Sequence, residues 1–427
     1  MNILIIGSGG REHAIAWKIS KSLLTNKIYI APGNAGTELE PALNNVNISI
    51  IDIDKLLSFA KKKCIDLTIV GPETPLVIGI VDAFKKANLT IFGPNQRAAQ
   101  IEGSKSFAKD FLVRNNIPTA NYKSFTEIKS ALNYIKNINM PIVIKADGLA
   151  SGKGVIITKT LEKAKTIILN MLSGNLFGNA GKCIIIEEFL EGEEVSFTVM
   201  VDGENIIPLA TSQDYKRVGD GDTGANTGGM GACSPALIVN KIIHQRIMEE
   251  IIEPTVKYMN QEGNNYQGFL YAGIIIDKLG NPKVIEFNCR LGDPETQPIM
   301  LRLQSDFLSL CIAGATGNLK KKIPLWNKQT ALGVIMATKN YPGNYNKSNI
   351  IHGLPIKETF DTKIFYANTI IKNNKIITSG GRVICVTTLG ENIIQAQKKA
   401  YEITKKIFWK NSFYRYDIGY RDASRLK

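Results

Sequence analysis

Histidine is scarce in this 427-residue chain: three residues, at positions 13, 244 and 352, with no Ser/His/Asp arrangement around them. Covalent catalysis by an activated serine or cysteine is therefore not expected. The six cysteines (64, 183, 233, 289, 311 and 385) are widely spaced, without a C-x-x-C pair or zinc spacing. They read as reduced, small apolar side chains rather than metal ligands or a disulfide framework. No apolar run approaches the roughly 20 residues needed to cross a bilayer, and the opening MNILIIGSGG has no basic n-region. The expectation is a cytoplasmic protein with no membrane partner. Arginine-rich arms and basic stripes with interleaved aromatics are missing too, so the formal net charge of +14 does not point to nucleic acid. It arises from lysines scattered through stretches such as Lys320-Lys321-Lys322. Its sign suits an anionic, phosphorylated small molecule.

What is present is an ordinary globular composition, 44% hydrophobic and 21% charged, with length for roughly three domains. Residues 1–100 alternate between strand patterns (Asn2–Ile6, Lys27–Ala31, Leu67–Val70, Thr90–Phe92) and helix patterns (Arg11–Ser22, Asp54–Lys63, Leu76–Ala87). That alternation predicts a doubly wound parallel sheet with ligands beyond the carboxyl ends of its strands. The loops Gly7–Gly10, Gly71–Thr74 and Gly93–Asn95 lie there. From Ser104 a helix leads into a second unit, β-rich from 193 to 300, in which Asp214–Gly231 reads as one long glycine-rich loop. After Pro324 come short strands and a terminal helix over 391–409.

The stretch IKADGLASGKGV at 144–155 contains a glycine–lysine pair but is not a P-loop. Gly148 and Gly152 are one residue too close, Gly154 replaces the metal-binding hydroxyl, and a β-branched run follows where a helix should start. It reads as strand–glycine loop–strand, a flap carrying Lys153. In KVIEFNCR, alternation puts Glu286 and Asn288 on one face and Ile285 and Phe287 on the other. A carboxylate and an amide oxygen so placed suit Mg²⁺, and a half-exposed polar strand face explains them equally well. The loop that follows offers Arg290, Asp293 and Glu295 to an anion, hydroxyls or an amine. Lys145 ends an apolar strand and Lys105 starts a helix; each taken alone reads more readily as a solvated lysine. Glu187 and Glu188 before Phe189-Leu190 are either a nucleotide edge or a solvated hairpin. At Gly7–Gly10 the dinucleotide fingerprint fails, because Glu12 holds the third glycine position. The amides of Gly9, Gly10 and Arg11 better suit a single phosphate. His13 is either a contact or a surface residue.

GSGGREHA, GPETPL, IKADGLASGKGV, EEFLEGEE, SQDYKRVGDGDTGANTGGMG and VIEFNCRLGDPETQ, in that order, resemble the ATP-grasp superfamily, and within it the phosphoribosylamine–glycine ligase family. The resemblance implies an N-terminal Rossmann-like domain at 1–103, an ATP-grasp domain of two α+β lobes at 104–324 with its flap lobe at about 122–192, and a β-rich domain at 325–427. It implies a monomeric C–N ligase in purine biosynthesis, using ATP and Mg²⁺ (or Mn²⁺) to join glycine to phosphoribosylamine through glycyl phosphate. By that resemblance Lys105, Lys145, Gly148, Gly152, Lys153 and Gly154 serve the triphosphate. Glu187, Glu188, Phe189 and Leu190 meet adenine, Glu194 the ribose, and Glu286 and Asn288 the metal. Gly9, Gly10, Arg11, Asp214, Arg290, Asp293 and Glu295 take the substrates, with Arg290, Lys145 and Asp214 catalytic. The rival readings are a sister ligase for another carboxylic acid, a nicotinamide-dependent dehydrogenase and a non-catalytic nucleotide-binding regulator.

Overall fold

A computed structural model of the protein describes residues 1–150, 154–355 and 359–426. The first sheet is parallel, in the order Leu43–Asn45, Lys27–Pro32, Asn2–Gly7, Leu67–Val70, Ile91–Phe92. Its strands are near-continuous apolar runs because helices cover both faces. The helix expected over Leu76–Ala87 is two, Glu73–Val77 and Ile80–Lys86. Gly79 between them takes φ +94°, a left-handed conformation that ends one helix and starts the next. The helix at the chain's start runs over Gly10–Ile19. Glu12 within it explains the broken fingerprint. A Cβ at Gly7 would lie 2.3 Å from Glu12 Cγ, and one at Gly71 2.0 Å from Glu12 Oε1. That carboxylate fills the crevice between the two central strands where a dinucleotide would lie.

The small lobe is an antiparallel sheet ordered Tyr122–Phe125, Ile184–Glu188, Ile142–Ala146, Val155–Thr158. The last two strands bracket the glycine flap, as strand–loop–strand requires. Alternation sends Ile142, Ile144, Ile184 and Ile186 into a core beneath the helix Leu161–Leu172. The facing sheet, again antiparallel, runs Ile206–Pro208, Glu193–Asp202, Gln267–Ile276, Pro282–Asn288. Val195, Phe197, Leu270, Ala272, Val284 and Phe287 are buried on its core side.

The glycine-rich stretch expected as one loop is largely ordered pairing. Gln213–Asp214 and Gly231–Ser234 are strands, and they join the sheet of Thr330–Thr338, Arg382–Gly390 and Thr362–Tyr366 near the chain's end. Between them Arg217–Gly219 and Thr223–Asn226 form a hairpin. Arg415 holds it at Arg217 O (3.0 Å) and Asp222 Oδ1 (2.9 Å). The terminal helix is shorter than expected, Ile393–Thr404, and a further helix follows at Tyr420–Arg425. Among the described residues no helix is long and apolar enough to cross a membrane.

Candidate active site

The two central sheets face each other across a cleft of about 580 Å³. On the small-lobe wall, the alternation that buries Ile144 and Ile186 turns Lys145 and Glu187 toward it. Lys145 is no solvated lysine: it is 2% exposed, and its Nζ lies 2.9 Å from Glu187 Oε2. Lys109, from the helix Lys105–Arg114, reaches the same oxygen at 3.2 Å. Burial pulls the Lys109 pKa down to about 8 despite Glu187. With both lysines on Oε2, Glu187 Oε1 stays buried without a hydrogen-bond partner. Such an atom is costly unless a ligand donates to it. Glu188 faces away and accepts from the Asn121 backbone N–H (2.9 Å) and Nδ2 (3.2 Å), leaving the backbone through Phe189 and Leu190 along the cleft rim. Lys105 Nζ donates to Gly148 O at 3.2 Å. Burial lowers its pKa, with Glu286 pulling the other way. Gly154 O accepts from Ala146 N–H at 2.8 Å. Gly152 and Lys153 lie outside the described residues.

The opposite wall carries Glu194, Tyr271, Glu286 and Asn288. Gly273 pairs with Glu286 and Ile274 with Val284, so Ile285 is left over as a β-bulge. This corrects the simple alternation: Ile285 lines the cleft, and its carbonyl accepts from Lys145 Nζ at 3.0 Å. Lys216 sits between Glu194 and Glu286, 3.3 Å from Glu286 Oε1. Burial works against the Lys216 ammonium, but the two carboxylates hold its pKa well above the usual lysine value. In turn Lys216, then Lys145 and Lys105, hold the Glu286 carboxyl at about 2 against burial. Asn288 Oδ1 accepts from Arg290 Nη2 at 3.1 Å. A permanently ionised carboxylate and an amide oxygen on one cleft wall fit a hard divalent cation that takes its other ligands from phosphate and water. The described residues contain no group of three or more His, Cys, Asp or Glu suited to a metal.

Beyond this, the N-terminal unit closes the cleft. Arg290 is held by Glu73 Oε2 (3.2 Å) and Glu102 Oε1 (2.8 Å), and Glu102 also accepts from Cys289 N–H at 2.7 Å. Sequence reasoning picked out neither acid, nor Lys109, although Glu73 sits in the quoted GPETPL turn. Arg11 Nη1 donates to Leu291 O at 3.0 Å. The Gly9 amide, expected to meet a phosphate, instead donates to Glu12 Oε2 at 2.6 Å, and a Cβ at Gly10 would lie 2.6 Å from Gln297 Nε2. His13 is neither a surface residue nor in the cleft. It is 1% exposed, and its Nδ1 accepts from Tyr366 N–H at 3.0 Å.

The remaining acids form a group. Glu295 is buried and accepts from Ser196 Oγ at 3.0 Å; Ser196 Oγ also bonds Tyr271 OH at 2.8 Å. Asp214 Oδ1 is buried without a partner. Burial, then the nearby Glu295, raise the Asp214 carboxyl pKa well above its usual value. An acid with an unused oxygen beside a second acid is chemically suited to an incoming cationic group. Asp293 accepts from Gln297 Nε2 at 2.9 Å and pairs with Arg382 Nη2 at 3.3 Å. Burial would raise its pKa, but Arg382 and Arg11 keep it below the ordinary value.

Three family models match in chain order: the phosphoribosylglycinamide synthetase N domain over 1–102, its ATP-grasp (A) domain over 103–296 and its C domain over 331–421. The chain belongs to the phosphoribosylglycinamide synthetase family. Among similar family members, phosphoribosylamine–glycine ligase of Yersinia pestis is 59% identical over 428 residues, covering 100% of both chains. The ligase of Escherichia coli K12 is 58% identical over 426 residues, covering 100% of this chain and 99% of the relative. A crystal structure of the Thermotoga maritima ligase superposes with a TM-score of 0.86 at 34% identity, over 98% of this chain and 100% of that one. A biotin carboxylase from Campylobacter jejuni shares the fold alone, with a TM-score of 0.74 at 15% identity over 96% and 92% of the two chains. The synthetase-family architecture is thus a parallel N-terminal sheet, an ATP-grasp pair of lobes and a C-terminal antiparallel sheet.

Proposed function

We propose that this chain is a C–N ligase that uses ATP to join glycine to 5-phospho-β-D-ribosylamine. The products are glycinamide ribonucleotide, ADP and phosphate, in de novo purine synthesis. The observation that carries the reading is one cleft with two chemistries. A cationic grip of Lys105 and Lys145 faces Glu286, and a partnerless acid, Asp214, waits beside Glu295.

The triphosphate lies against Lys105 and Lys145 beneath the Gly148–Gly154 flap, with adenine along the backbone of Glu188–Leu190, the Glu187 carboxylate beside it, and its ribose at Glu194. Lys216, bound to Glu194 and Glu286, holds the floor of this half. Held by Glu286 and Asn288, Mg²⁺ (or Mn²⁺) would neutralise charge on the transferring phosphoryl group. Asp214 and Glu295 take the glycine ammonium, which turns the glycine carboxylate toward the γ-phosphate. A carboxylate oxygen bonds to phosphorus as the bond to ADP breaks, giving glycyl phosphate. The phosphoribosylamine nitrogen, directed by Arg11, Arg290 and Asp293, then attacks the carbonyl carbon. Phosphate leaves and the nitrogen loses a proton. No covalent enzyme intermediate is needed, which suits a cleft built from charge and position. Closure keeps water from the acyl phosphate.

The three-domain division at 1–103, 104–324 and 325–427 is part of the proposal, with 213–214 and 231–234 pairing into the last unit's sheet. The test is ADP release that requires both glycine and phosphoribosylamine, with product identified by mass. Equal turnover of another amino acid in place of glycine would refute the substrate assignment.

A further inference from the structure

Arg382 opens the strand Arg382–Gly390, in the sheet near the chain's end, yet its guanidinium lines the cleft. Its Nη1 donates to Gly228 O and, at 2.7 Å, to Asp293 O, while Nη2 lies 3.3 Å from Asp293 Oδ2. Gly228 is held from its other side as well, its N–H donating to Tyr341 OH at 3.0 Å. The fit is close: a Cβ at Gly228 would lie 3.0 Å from Arg382 Cζ, and one at Gly229 2.6 Å from Asp214 Oδ1. One guanidinium thus joins the Gly228–Gly229 turn, which packs on Asp214, to Asp293, which lies 3.3 Å from where a Gly9 Cβ would be. Of the three acids in the substrate half, Asp293 meets this group directly and Asp214 through the turn.

We propose that Arg382 is a positioning residue for the acceptor amine, through which the C-terminal region sets the substrate half of the cleft. The inference rests on the ligase reading above. The planar fork is required because the acceptors (two carbonyls and a carboxylate) lie around one group; a lysine ammonium cannot hold them in that geometry. The phosphate grip of the nucleotide half draws on other partners, Lys105 on Gly148 O and Lys145 on Glu187 and Ile285 O. When the acceptor is misplaced, glycyl phosphate still forms but meets water instead of amine, so ATP is consumed without ligation.

The test uses the full chain with Arg382→Met and Arg382→Lys. ADP and glycinamide ribonucleotide are measured separately, and the KM of each substrate is determined. Arg382→Met should raise the KM for phosphoribosylamine by about tenfold to a hundredfold, the loss expected for a multidentate charged contact. The KM for ATP should stay within about twofold, as should the rise in thermal midpoint on adding ATP. ADP should exceed ligated product, and Arg382→Lys should fall between. Equal rises in all three KM values, a fall in kcat with one ADP per product, or a variant that ATP no longer stabilises would overturn the inference. A wild-type chain that makes no ADP from these substrates would overturn the ligase reading and this inference together.

Discussion

Lys109→Met is expected to stabilise the protein in the absence of nucleotide. In the wild type burial pulls the Lys109 pKa from 10.5 to about 8, the attraction of Glu187 included. At about 1.4 kcal/mol per factor of ten in proton affinity, keeping this lysine charged costs about 3 kcal/mol at neutral pH. Methionine fills a similar volume without charge. It forfeits the hydrogen bond to Thr119 Oγ1 at 2.7 Å, worth about 1 kcal/mol. Thr119 keeps its own bond to Val284 O, and Glu187 keeps Lys145. The net gain is about 2 kcal/mol, in the range seen when buried charges give way to apolar groups. The sign with pH follows. The folded lysine releases its proton near pH 8 and the unfolded one near 10.5, so the penalty is full below 8 and vanishes as pH rises through that window. Thermal midpoints of both proteins at pH 7 and pH 10, without ATP, check it. The variant should lead at pH 7 and lose its lead by pH 10. A wild type clearly more stable at pH 7, or a difference indifferent to pH, refutes the reasoning.

Glu286→Ala should abolish ADP release while the far-ultraviolet dichroism and cooperative unfolding persist; retained turnover would exclude the metal assignment. Asp214 holds its proton unusually tightly, and a bound glycine ammonium favours its ionised form. Glycine binding should therefore release a proton, read by calorimetry in two buffers of different ionisation enthalpy. Asp214→Asn should lose that buffer dependence, and its absence in the wild type would contradict the cation-receptor reading. Burial disfavours the Glu40 carboxylate, yet hydrogen bonds from His13 and Lys363 hold its pKa at about 2. Its contribution is complete above about 4.5 and fades as pH falls toward 2, so Lys363→Met should move acid unfolding to higher pH.

The parallel sheet, the flap and the opposed β layers were legible because each rests on local pattern: apolar runs, paired β-branched stretches and period-two alternation. Lys145 and Glu286 drew notice because an ion at the end or on one face of an apolar strand stands out, and both line the cleft; the roles expected of them came from the family resemblance. Lys109 did not stand out, since a lysine on an amphipathic helix is an ordinary surface residue until a neighbouring lobe covers it. Arg382 was out of reach for a related reason: its partners at 228–229 and 293 lie far away in sequence. The bulge at Ile285 depends on cross-strand register, which the pattern within one strand does not carry. The glycine-rich stretch misled because glycine content suggests a loop, whereas here Gly228 and Gly229 make room for the Arg382 and Asp214 side chains and Gly231 for the Gly333 carbonyl of the neighbouring strand.

Because Gln213–Asp214 and Gly231–Ser234 pair into a sheet with Thr330–Thr338, synthesis must continue for nearly a hundred residues before those strands find their neighbour. At ribosomal speeds of about 5–20 residues per second that is a wait of roughly 5–20 seconds. Through it a short, glycine-rich edge and the seat of Asp214 stay unformed. The nascent chain can therefore complete its parallel N-terminal sheet and its small lobe well before the seats of Asp214 and Lys216, and a truncated product would leave the ribosome with an open sheet edge for chaperones to bind.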